Sequence, residues 1–149
     1  MEKGLTIKIV LPKDRAKYGG LTVSAVATFR CLGKADNTAA KRQGNPQRDP
    51  LKQYGDTPTG VYIGTLGATY KGRTYGEFPV IMLSPVSGDA LRAQKKGGRS
   101  GLWIHGGDLR NGELRPTHGC VRVDDSTQKI LVELLKASGN QCEVVVEEE

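Results

Sequence analysis

Both histidines of the chain lie close in sequence to one cysteine. His105 is fifteen residues before Cys120. His118 is two before it, in Arg115-Pro116-Thr117-His118-Gly119-Cys120-Val121-Arg122. A thiol nucleophile needs this set of residues. The thiolate is the attacking species, and a free cysteine with pKa ~8.5 is only a few per cent ionised at neutral pH. A neighbouring imidazole can take the proton, and Arg122 adds positive potential. Gly119 gives the backbone room to approach a substrate. The amides of Gly119 and Cys120 are candidates for an oxyanion hole, where one donor is typically worth ~3 kcal/mol in the transition state.

Competing roles exist for the same residues. A lone buried cysteine is more often a small core residue than a nucleophile. Cys31 and Cys142, each inside an apolar strand-like run, fit that role, and whether they pair is left open. Three cysteines without a C-x-x-C allow one disulfide and leave one thiol over. Metal binding is the sharpest rival to catalysis by thiolate. His105, Asp108, His118 and Cys120 are all competent zinc ligands, but H-x2-D…H-x-C is not a common structural spacing.

The elements that must position these residues read as short strands and one helix. Residues 5–11 alternate as a half-buried strand that Pro12 stops, and residues 21–32 suggest a second. Residues 57–66 suggest a turn feeding a strand. Residues 77–83 suggest another, with Pro79 at its start or on an edge. Residues 101–105 read as a buried strand ending in His105. A helix follows the cysteine, with Asp125 and Gln128 as a capping box, Ile130, Leu131, Leu134 and Leu135 as its apolar stripe, and Gly139 closing it. Residues 142–146 form a last strand, with the final glutamates as a frayed tail. Two long polar connections, 33–56 and 84–100, are candidates for a lid or substrate rim. The expected class is mainly β with one principal helix, in a single domain over 1–149.

Composition narrows the partners. The chain has 149 residues, 37% of them hydrophobic, with 20 glycines and no apolar run long enough to span a membrane. Lys and Arg number 22 against 16 Asp and Glu, a net charge of +6 that attracts polyanions. Nucleic acid is disfavoured by only eight aromatics and by the lack of any basic-helix, zinc-finger or stacking motif. Anionic bacterial cell wall suits the charge equally well, and a merely solvated basic surface is the plain alternative. Residues 1–8 hold no apolar run of a signal peptide. The expectation is synthesis in the cytosol with export by another route, or a trimmed chain.

The segment Gly101-Leu102-Trp103-Ile104-His105-Gly106, followed by Thr117-His118-Gly119-Cys120-Val121-Arg122, resembles the signature of the L,D-transpeptidase (YkuD) catalytic domain. Asp56-Thr57-Pro58-Thr59-Gly60-Val61-Tyr62-Ile63 is similar to the strand opening of that family. The likeness runs from about residue 55 to 146, with a shorter loop between His105 and Thr117 than the family usually has. It implies a β-sandwich of mixed sheets, with Cys120 as nucleophile and His105 as general base and acid, oriented by the Gly106 carbonyl. His118 would line the site and Thr117 would support the cysteine turn and border the substrate. Gly119 and Cys120 would form the oxyanion hole, and Arg122 would bind a substrate carboxylate or carbonyl. Trp103 is expected to pack the core behind His105.

The substrate implied is the peptidoglycan tetrapeptide stem, acylated through a thioester without metal or organic cofactor, in the periplasm or wall. Cross-linking, D-amino acid exchange and L,D-carboxypeptidase outcomes all stay open. A stand-alone basic domain of this kind also suits an exported antibacterial effector, whose partner would be an immunity protein. The alternatives are a zinc-dependent wall peptidase and a non-catalytic wall-binding module.

Overall fold

The computed structural model describes residues 4–23, 27–107 and 109–149. Along the chain run β1 (Thr6–Leu11), β2 (Gly19–Val23), β3 (Ala27–Cys31), α1 (Asn37–Arg42), β4 (Gly60–Leu66) and β5 (Ile81–Ser87). After them come α2 (Gly88–Gly97), β6 (Trp103–His105), β7 (Leu109–Arg110), β8 (Glu113–Leu114), β9 (Val121–Arg122), α3 (Asp125–Ala137) and β10 (Gln141–Glu148).

Eight strands form one mixed sheet in the order β3-β2-β1-β10-β4-β5-β6-β9, and β7 and β8 make a separate small ribbon. The pairs β1–β10 and β6–β9 are parallel; the rest are antiparallel. The two ends of the sheet meet just past β3. There Leu32 and Arg122 exchange N–H···O bonds of 2.9 Å each, so the sheet curls round as the two faces of a sandwich. Strand alternation fills the space between them. Ile7, Ile9 and Leu11 of β1 and Cys142, Val144 and Val146 of β10 face inward beside Tyr62, Ile81, Ile104 and Val121. Among the described residues no helix is long and apolar enough to cross a membrane.

Several sequence expectations need correction. Residues 21–32 are not one strand but parts of two, β2 and β3, paired antiparallel from Gly19↔Cys31 to Val23↔Ala27. The stretch 84–100 is not a loop. Its first residues extend β5 and residues 88–97 are α2, which seats Ala90 and Ala93 in the core. Pro85 sits within β5 at Tyr62, beyond the two residues through which β5 pairs with β6, so its missing N–H breaks no ladder there. The final glutamates are not frayed. Glu147 and Glu148 belong to β10, Arg15 holds Glu148 at 2.6 Å, and Glu149 N–H donates to Leu11 O at 2.9 Å.

Helix α3 differs in its start and its face. Asp124 is the N-cap, and no side-chain cap bond forms. Asp125 instead accepts from Gly107 N–H at 3.0 Å, and Gln128 donates to Pro79 O at 2.8 Å and Ile104 O at 3.0 Å. The supposed capping box is a brace for the end of β6. The buried face is Thr127, Gln128, Leu131, Val132 and Leu135, while Ile130 is exposed. Gly139 closes the helix with φ +75° as expected.

Candidate active site

Strands β6 and β9 lie side by side and parallel, with Ile104 opposite Val121 and His105 opposite Arg122. This register brings the end of β6 to the residue before β9. His105 and Cys120 therefore reach one cleft of about 570 Å³, which Thr117, His118 and Arg122 also line. Fifteen residues of sequence collapse into one strand pairing.

His105 is 1% exposed. Its Nδ1 lies 2.8 Å from Gly106 O, an acceptor only, so Nδ1 carries the proton and Nε2 is left as the base. Tyr75 packs edge-on against the ring at 4.9 Å. Burial lowers the imidazole pKa to about 4; the Gly106 carbonyl raises it and the Arg122 charge lowers it further. A Cβ on Gly106 would lie 2.0 Å from the Asp125 carboxylate and would displace the group that ties down Gly107.

Cys120 is 8% exposed. Trp103 N–H donates to its Sγ at 3.4 Å, and the thiol donates to Gly101 O at 3.4 Å. Burial pushes the thiol pKa up, against the pull of the Trp103 amide and the Arg99 and Arg122 cations. The resting pair is therefore a neutral thiol and a neutral imidazole. Among the described residues no hydrogen bond joins the two.

Thr117 fixes the turn that carries the cysteine. Its Oγ1 accepts from Gly119 N–H and donates to Cys120 O, both at 2.9 Å. Its own backbone is clamped between Lys34 O at 3.1 Å and Asp36 N–H at 2.8 Å. Two expectations change as a result. Thr117 lines the cleft, but its hydroxyl is committed to the turn rather than to a substrate. The Gly119 amide is committed too, so of the two oxyanion candidates only Cys120 N–H makes no hydrogen bond among the described residues.

His118 stands exposed at the rim, with its ring 5.3 Å from that of Tyr54. Arg122 is 3% exposed and donates to Thr74 O at 3.1 Å. Among the described residues, no three His, Cys, Asp or Glu side chains gather to hold a metal ion. Asp108, the fourth member of the zinc set, lies outside the described residues.

Trp103 is not in the core. It lines the cleft, stacked on Tyr70 at 5.4 Å and tilted against Tyr75 at 5.3 Å. Tyr54 and Tyr75, unremarked in the sequence, line it as well. Of the two connections, 33–56 is a rim and contributes Asp36, Gln53 and Tyr54. It is anchored rather than loose: Asn45 donates to Asp49 O and Gln53 O, and Asp56 accepts from Ala35 N–H and pairs with Arg48. Of 84–100, only Ser100 lines the cleft.

Residues 26–146 match the YkuD family, described as the L,D-transpeptidase catalytic domain. No curated protein matches the sequence. Among solved structures the fold is similar to Bd1075 of Bdellovibrio bacteriovorus, with TM-score 0.56 and 17% identity over 93% of this chain and 46% of that one. It is also similar to the helical cell shape determining protein Pgp2 of Campylobacter jejuni, with TM-score 0.52 and 18% identity over 99% of this chain and 49% of that one. The chain thus spans about half the length of either structure, and the likeness is one of fold.

Proposed function

The chain belongs to the L,D-transpeptidase (YkuD) catalytic-domain family, and on that footing we propose that it is a cysteine acyltransferase of peptidoglycan tetrapeptide stems, acting in the periplasm or wall. One observation carries the reading. The β6–β9 register delivers a thiol and a tautomer-locked imidazole to the same cleft.

His105 Nε2 takes the Cys120 proton as the thiol sulfur attacks the carbonyl carbon before the fourth-position D-alanine. The carbonyl oxygen gains the negative charge, met by the Cys120 amide. The C–N bond then breaks, the imidazolium returns its proton to the departing D-alanine amine, and a thioester remains. An acceptor nucleophile loses its proton to His105, attacks the thioester and restores the thiol. A second stem as acceptor gives a cross-link, a free D-amino acid gives exchange, and water gives an L,D-carboxypeptidase outcome. Arg122, a planar and permanently charged fork, suits a substrate carboxylate or carbonyl. These steps call for no cofactor.

Neutral resting partners mean that the thiolate forms only as substrate arrives. Incubation with disaccharide-tetrapeptide tests the proposal. Intact mass should show an adduct on Cys120 with release of D-alanine, and C120A should show neither. Unchanged D-alanine release by C120A would refute it. Turned on a competitor's wall, the same reaction makes an antibacterial effector with an immunity protein as partner. Sent to the periplasm of a susceptible host, the protein should then arrest growth and C120A should not. Normal growth with the active protein would end the effector reading.

A further inference from the structure

A buried arginine beside the cysteine turn has no role in the scheme above. Arg99 follows α2 and is 3% exposed. Among the described residues its guanidinium donates only to backbone carbonyls: Nη1 to Pro50 O at 2.6 Å and Asp56 O at 2.9 Å, and Nη2 to Gly55 O at 2.5 Å. Its Nε is buried without a partner among the described residues. The nearby Asp56 carboxylate is engaged elsewhere, by Ala35 N–H and Arg48. A buried cation without a hydrogen-bonded carboxylate is costly, because carbonyl dipoles replace only part of its lost hydration.

The position of that charge is specific. A Cβ on Gly119 would lie 2.0 Å from Arg99 Nη2 and 2.4 Å from Gly55 O. The guanidinium therefore lies directly beneath the backbone that leads into Cys120. Thr57 Oγ1 locks the same backbone by donating to Gly119 O at 2.6 Å. Arg99 does not line the cleft, so it does not touch a substrate held there.

We propose that Arg99 is a positioning residue, a fixed cation built under the Gly119–Cys120 turn to stabilise the thiolate and the oxyanion that follows it. This rests on Cys120 being the nucleophile. Burial works against ionisation of that thiol, and two cations oppose the effect: Arg122 from β9 and Arg99 from behind the turn. The sulfur also accepts from Trp103 N–H, the thiol donates to the Gly101 carbonyl, and His105 lines the same cleft. Burial lowers the Arg99 pKa to about 10, and Tyr62, Cys120, Asp56 and Asp49 hold it up, so the guanidinium is charged at neutral pH. Of the two cations, Arg99 is the one outside the cleft, so its charge does not depend on what the cleft binds.

The test is the pH dependence of iodoacetamide alkylation at Cys120, read by peptide mass mapping in wild type, R99K, R99Q and R99M. Opposite charges near a titrating group typically move its pKa by ~1–3 units. R99Q and R99M should therefore move the alkylation midpoint up by about one unit or more. Alkylation at a fixed pH below the midpoint should slow roughly tenfold or more, while R99K stays near wild type. Equal midpoints in all four, or an equal rise in R99K and R99Q, would overturn the proposal. So would failure of all three variants to fold, which would make Arg99 a structural clamp. Alkylation needs no stem peptide. A shifted midpoint without any acyl adduct would retain Arg99 and reject the substrate assignment.

Discussion

Alanine at position 105 should slow acylation of Cys120 by roughly 10²–10⁴-fold, the span usual for a lost general base. The effect should fall on kcat more than on KM, since His105 lies deep in the cleft wall. Release of D-alanine from disaccharide-tetrapeptide measures it, and a rate near wild type would remove His105 from the base role. A second signature is thermodynamic. The ring is held neutral, with its pKa lowered to about 4 against 6.5 for the free side chain. Between those values the unfolded chain binds a proton that the folded one resists. Stability is therefore full above about pH 6.5 and falls as pH drops through about 4, by roughly 3 kcal/mol in all. H105Q should flatten this slope, read as urea midpoints at pH 7 and pH 4.5. An unchanged slope would mean that other groups carry the acid sensitivity.

Gly119→Ala should be strongly destabilising. Gly119 has φ +113°, a conformation that L side chains rarely adopt. The new Cβ would also meet Arg99 Nη2 and Gly55 O at 2.0 and 2.4 Å. Neither neighbour can yield. The guanidinium is bound to three carbonyls, and Gly55 is itself pressed against Asp49 O. Strain and clash together should cost more than about 3 kcal/mol, a fall of roughly 10 °C in Tm. Whatever folds should acylate slowly, because the turn that aims Cys120 has moved. A Tm within about 2 °C of wild type, the shift of well under 1 kcal/mol, would show that the turn is not as tightly held as its neighbours imply.

The site was readable where chemistry depends on rare residues. Two histidines and a glycine-flanked cysteine stand out in a chain of 149 because few other residues compete for their roles. The groups that hold them did not stand out. Asp125 and Gln128 have capping-box spacing, and only the nearness of β6 diverts them to Gly107, Pro79 and Ile104. Helix α2 was hidden because its buried face is two alanines in a run of lysines, glutamine and glycine, too weak a stripe for periodicity to register. Trp103 was expected in the core because a large apolar ring in a short buried strand usually packs inward. In the structure Trp103 and His105, two residues apart on β6, both line the cleft, and Ile104 between them is in the core. Arg99 has no local signal at all; its role exists only once 49–57 folds over it.

The placement of β10 between β1 and β4 also dictates when the protein can become whole. The strand furthest along this sequence, Gln141–Glu148, occupies the middle of the sheet, pairing residue 6 with residue 143 on one side. Without it, β1–β3 and β4–β6 meet through the Leu32–Arg122 bridge at the other end of the sheet, and the middle of the sheet stands open. Contacts this distant in sequence slow folding. The β1–β10 and β10–β4 pairings should therefore form late in folding.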